Sequence, residues 1–118
     1  LALNDLSLWD TSNVTDMSYM FCECILLTNL PDISIWNISK VTDVGYMFGQ
    51  CTSLTTLPDI SKWNTSKIIY MNQMFEECES LSSVPDILKW NISKVLYMNN
   101  IFYKCVNCLN IPEEFKEK

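Results

Sequence analysis

LTTLPDISKWNTSKIIYMNQMFEEC, residues 54–78, is the stretch whose reading decides the fold. Its first part, Leu54 to Ile60, is too short and too interrupted by Pro58 for a helix. Leu, Thr and Ile suit a strand, and Pro58 fits one only where no ladder donor is needed. The second part places apolar groups at Ile68, Met71, Met74, Phe75 and Cys78. Intervals of 3, 3, 1 and 3 mark one face of a helix. That helix begins at Ser66, whose hydroxyl can accept from an orphan N–H, or at residue 70. The stretch therefore predicts a short strand, a Trp-containing turn and a short helix.

The same pattern recurs on both sides. Trp9, Trp36, Trp63 and Trp90 are 27 residues apart, as are Phe21, Phe48, Phe75 and Phe102. Cys24, Cys51, Cys78 and Cys105 keep that spacing. So do Asp5, Asp32, Asp59 and Asp86, and Ser12, Ser39, Ser66 and Ser93. A constant period lets units stack in register around one continuous core. The expected fold class is α/β: a solenoid with one short strand and one short helix per 27-residue coil. Its domain covers residues 1–112, with units beginning near 3, 30, 57 and 84. Residues 113–118 drop the repeat and turn charged, a C-terminal cap or tail with Phe115 over the last unit. Leu1 opens the chain in mid-strand without a comparable cap or a leader. It reads as part of something longer, with upstream repeats or another chain covering that end.

Residues 57–68 (LPDISKWNTSKI) and 30–48 (LPDISIWNISKVTDVGYMF) carry a specific resemblance. The pattern C-x-x-L-x-x-L/V-P-D-I…W-N-x-S-K-V…M-F-x-x-C, spanning residues 3–112, resembles the BspA-like leucine-rich-repeat surface proteins. The resemblance implies a right-handed solenoid of leucine-rich-repeat type, and display on a cell or particle surface with roles in adhesion or protein binding. The fourth unit departs from the pattern at Leu88, Ile101 and Cys108.

Charge and composition narrow the function. A net charge of −6 disfavours a nucleic-acid backbone as partner. All eight basic residues are Lys, so the Arg that reads guanine edges and phosphate forks is missing. His is absent, which removes the usual general base and the commonest metal nitrogen ligand. No nucleophile elbow or Gly-rich phosphate loop is present either, so no enzyme activity, cofactor or metal is expected. No apolar run approaches the ~20 residues of a membrane span.

The recurring columns have plain readings beside sharper ones. Cys105-x-x-Cys108 and Cys22-x-Cys24 look like metal or redox motifs. Cys24 and Cys105 belong to the repeated column, however, and Cys108 takes the place of Leu27, Leu54 and Leu81, which favours small buried core groups over zinc or rung-to-rung disulfides. Cys22 occupies an outward position. The Asp column reads as turn carboxylates accepting backbone N–H groups after Pro31, Pro58 and Pro85, against the alternative of calcium ligation. Asn37, Asn64 and Asn91 open sequons, with Asn13 a fourth, and would carry N-glycans only in a eukaryotic secreted protein. Turn asparagines are the simpler account. The Trp column reads as a core edge, with a carbohydrate-stacking platform as the alternative.

Specificity in a repeat protein sits where equivalent positions differ. Thr28 and Asn29, Thr55 and Thr56, and Ser82 and Ser83 are small and polar; Glu76, Glu77 and Glu79 make the third unit acidic. The largest change precedes the expected helix, where Thr15-Asp16 and Thr42-Asp43 give way to Ile69-Tyr70 and Leu96-Tyr97. Local repacking around the altered fourth unit is one account of it. Ile69, Tyr70, Leu96 and Tyr97 are the candidate partner-binding residues. The expected function is a non-catalytic protein-binding or adhesion module at a cell or particle surface. The alternative is a structural subunit of a larger intracellular or surface assembly, its partners being neighbouring subunits.

Overall fold

The computed structural model describes residues 3–116, with side chains from Leu6 onward. It overturns the expected α/β class and the right-handed leucine-rich-repeat solenoid. Among the described residues there is no α-helix and no strand. The regular elements are five short 3-10 helices: η1 (Leu3–Leu8), η2 (Ile33–Ile35), η3 (Ile60–Lys62), η4 (Ile87–Lys89) and η5 (Glu113–Phe115). The pairing of extended backbone reduces to isolated parallel bridges, Asp16 to Asp43, Asp43 to Tyr70 and Tyr70 to Tyr97. The units form a compact body of 33 × 33 × 21 Å.

The expected helix fails because the backbone turns left-handed twice in every unit. Tyr19, Tyr46, Gln73 and Asn100 have φ of 55–60°, and Glu23, Gln50, Glu77 and Lys104 have φ of 57–61°. An α-helix cannot pass through such residues. The tract becomes a run of tight turns whose N–H groups take two kinds of partner. Some bond back three residues, as Gly49 does to Tyr46 O and Cys51 to Phe48 O. The residues between them donate to the next unit: Tyr46 to Asn72 O, Phe48 to Met74 O and Gln50 to Glu76 O, at 2.6–2.9 Å. Turns closed over three residues bring the same positions inward as a helical face would. Ile68, Met71, Met74, Phe75 and Cys78 are all buried, although the expected helix does not exist.

The expected strand fails for a different reason. Around Leu54–Ile60 each unit makes one backbone bond to its neighbour, Thr55 N–H to Thr28 O and Ser82 N–H to Thr55 O. Pro58 has no donor to extend a ladder, and the chain closes into η3 at once. Asp32 begins η2 by accepting from the backbone N–H and hydroxyl of Ser34. Asp59 accepts from the Ser61 hydroxyl, which holds its carboxyl below the ordinary range. Asp86 makes no such cap, since Leu88 stands where the others have Ser. Asp5 lies outside the described side chains.

Columns of identical side chains fill the interior. Phe21, Phe48, Phe75 and Phe102 stack nearly parallel, with centroids 5.6, 5.4 and 5.0 Å apart. Each such pair adds about 0.5–1.5 kcal/mol beyond the burial of the rings. The indoles of Trp36, Trp63 and Trp90 are buried and donate to Leu6 O, Ile33 O and Ile60 O in the preceding unit at 2.8–2.9 Å. Burial of these three rings removes the carbohydrate platform. Cys51, Cys78 and Cys105 reach back likewise, each thiol donating to a Phe carbonyl of the preceding unit. Phe115 is buried with its ring edge-on to Trp90.

Candidate functional site

The bridge column positions the variable residues on the surface. Asp16, Asp43, Tyr70 and Tyr97 are successive members of one parallel row, and the chain leaves each outward before turning back to a buried Met17, Val44 or Met71 or the partly buried Met98. In the first unit, Asp16 is exposed and accepts from the Ser18 backbone and hydroxyl. The Ser18 hydroxyl, then its backbone N–H, hold that carboxyl below the ordinary range. Asp43 accepts from the Gly45 N–H at 2.8 Å.

In the third and fourth units the row becomes aromatic. Tyr70 and Tyr97 stack with centroids 5.0 Å apart and planes 4° from parallel. They remain 43% and 45% exposed, and Leu96 beside them is 74% exposed. An apolar group left this open, beside a ring pair already ordered, is a surface suited to being covered. Ile69 differs from the other three: it is half-buried, and its carbonyl accepts both the Leu96 and Tyr97 N–H groups. It supports the patch from beneath.

A second aromatic pair escapes the sequence reading. Tyr19 and Tyr46 stack at 4.8 Å and 8°, and Tyr19 is exposed. They occupy the first left-handed position of the turn tract, which a helical reading places on an undistinguished outer face. Their 27-residue spacing was the available signal. Burial, then the neighbouring Glu76, raises the Tyr46 hydroxyl above its ordinary value. Stacked tyrosines thus form two surface pairs, one on units one and two and one on units three and four.

The other candidate chemistry resolves into structure. The six cysteines are unpaired. Burial pushes the Cys51 thiol up to about 12, which suppresses the thiolate needed for attack or metal binding. Cys22 is half-buried, not outward, and burial raises it too. Among the described residues no group of three or more Cys, Asp or Glu is placed to hold a metal ion. Asn37, Asn64 and Asn91 use their side-chain carbonyls to accept the N–H of Ser39, Ser66 and Ser93. Among the described residues no helix is long and apolar enough to cross a membrane.

A family model described as "Mycoplasma protein of unknown function, DUF285" matches residues 1–115, and the chain belongs to that family. The membership supports a surface repeat family and does not reach the BspA-like type. No curated protein and no solved structure matches the chain.

Proposed function

We propose that this member of the DUF285 family is a non-catalytic protein-binding or adhesion module of a surface repeat protein, akin to the BspA-like type. The observation that carries the reading is the stacked Tyr70–Tyr97 pair with Leu96 exposed beside it. Stacking orders the two rings before any partner arrives, so less conformational freedom is lost on contact. Tyrosine is also among the residues that dominate binding energy at protein interfaces. Polar residues at the equivalent places, Thr15-Asp16 and Thr42-Asp43, confine the apolar part of this row to the third and fourth units.

The test uses the labelled chain and intact cultured cells. Tyr70→Ser with Tyr97→Ser is expected to weaken cell binding by at least about tenfold, from the ~2 kcal/mol typical of dominant interface residues. Thermal unfolding should stay close to that of the parent, because both rings lie on the surface. Undiminished binding by a folded double variant overturns the assignment.

A further inference from the structure

One seven-residue stretch changes its charge from unit to unit. Residues 10–16 read DTSNVTD, with two carboxylates and no cation. Residues 37–43, NISKVTD, set Lys40 against Asp43 and are neutral. Residues 64–70 (NTSKIIY) and 91–97 (NISKVLY) keep Lys67 and Lys94 and hold no acid, so each carries +1. In a chain of net charge −6, units three and four are a cationic exception on this flank. The tyrosines that follow Asp16 and Asp43 in the bridge row therefore do two things. They supply rings, and they remove the carboxylates that would neutralise the lysines.

Lys40, Lys67 and Lys94 are exposed and follow one another at the 27-residue step. Lys40 reaches back one unit and donates to Asn13 Oδ1 at 3.0 Å. Lys67 and Lys94 meet no such acceptor, because Lys40 and Lys67 stand at the equivalent places and an ammonium only donates. Among the described residues the ion pairs belong to Lys104 and Lys116, and no carboxylate pairs with Lys67 or Lys94. Lys62 and Lys89 are placed differently. The Asp59 carboxyl, held down first by the Ser61 hydroxyl, is lowered by these two cations as well. Like charges in register on neighbouring units repel, so the row through 67 and 94 costs stability until an anion covers it.

The lysines and the tyrosines share one strip of surface. Between them runs the column of Thr42, Ile69 and Leu96, tied by Ile69 N–H to Thr42 O and by Leu96 N–H to Ile69 O. Lys67 lies three residues before Tyr70, and Lys94 three before Tyr97, a chain length of at most about 10 Å. The strip runs along a flank of the body. Tyr70 has a described unit on each side, and its 43% exposure matches the 45% of Tyr97, so the opening belongs to the flank.

We infer that the Tyr70–Tyr97 surface takes an acidic segment of its protein partner, whose carboxylates meet Lys67 and Lys94 while an apolar group covers the rings. The inference rests on the protein-binding reading above and names the chemistry of the partner. Charge complementarity is the argument: an anion gains two ammoniums that no group on this chain occupies. The paired rings beside them call for apolar cover as well. A polypeptide brings both kinds of group within a few residues. In an extended segment, side chains on one face recur every ~6–7 Å, a spacing that two flexible lysines one unit apart can follow. Asp10 and Asp16 repel the same segment from the first unit, which confines it to the later half.

Binding of the labelled 118-residue chain to intact cultured cells, followed as salt is raised, tests this. Lys67→Gln with Lys94→Gln should weaken binding about three- to tenfold at low salt and flatten its decline with added salt. Lys62→Gln with Lys89→Gln removes the same charge elsewhere and should leave binding within about twofold. Thermal unfolding should show both variants folded, because all four side chains are exposed. Protease treatment of the cells should abolish binding by the parent. Binding that survives the protease, or that transfers to vesicles of anionic phospholipid, assigns the lysines to a polysaccharide or a membrane and overturns the inference. Equal weakening by the two lysine pairs reports net charge alone and overturns it too. Loss on Tyr70→Ser with Tyr97→Ser, without loss on the Lys67 and Lys94 change, leaves the protein-binding surface standing and removes the acidic partner. Undiminished binding by both of those double variants overturns both readings.

Discussion

Phe75→Ala is expected to lower the free energy of unfolding by about 3–5 kcal/mol, the range for losing a fully buried Phe. Phe75 has no exposed surface and lies between two rings, Phe48 at 5.4 Å and Phe102 at 5.0 Å. Truncation removes two stacking contacts and leaves a cavity that the flanking units cannot fill, because their separation is fixed by backbone bonds. The Phe75 N–H donates to Ile101 O and the Phe75 carbonyl accepts the Cys105 thiol, so the backbone on both sides resists collapse. Small domains have about 5–15 kcal/mol of stability in total, so the variant should sit near the edge of folding. Phe102→Ala should cost less, since Phe102 stacks on one Phe and is slightly exposed. Urea denaturation of the two variants measures the difference, and equal losses would contradict the stacked column.

Trp63→Phe is expected to destabilise by about 1–3 kcal/mol, combining lost ring volume with the loss of one of the two hydrogen bonds to a buried carbonyl that keeps the Trp36 N–H. The indole N–H donates to Ile33 O at 2.9 Å, and Ile33 is itself fully buried. Phenylalanine keeps the apolar character and cannot reach that oxygen. The Trp63 N–H of the backbone still closes η3 on Ile60 O, so the local turn survives and the loss is specific to the inter-unit bond. Trp9→Phe is the control. Trp9 is 50% exposed, and its replacement should cost far less. Thermal unfolding of both variants would decide; similar costs at the two positions would remove the indole bond as a source of cohesion.

The period, the inward residues and the Pro-Asp turns were legible in the sequence, whereas the path of the backbone was not. Left-handed residues usually announce themselves as Gly or Asn. Here those positions hold Tyr, Gln, Glu and Lys, with Asn100 the one exception. Nothing in such side chains distinguishes a turn tract from a helix, and both bring Met71, Met74, Phe75 and Cys78 inside. The strand was misjudged because Leu, Thr and Ile favour extension while Pro58 and Asp59 close the chain within a few residues. At the surface, Tyr70, Leu96 and Tyr97 emerge as an exposed group, while Ile69 is a half-buried support. Tyr19 and Tyr46 went unread because the helical pattern gave their column no special place.

The central claim is that cohesion between units comes from N–H groups that pass by their own turn and bond to the next unit. Scalar coupling across hydrogen bonds, measured by NMR on the isotopically labelled chain, tests it at one atom pair. The Phe48 amide nitrogen should couple to the Met74 carbonyl carbon, reporting the 2.8 Å bond between units. A coupling from Phe48 to the carbonyl of Val44 would instead report an α-helix and contradict the account.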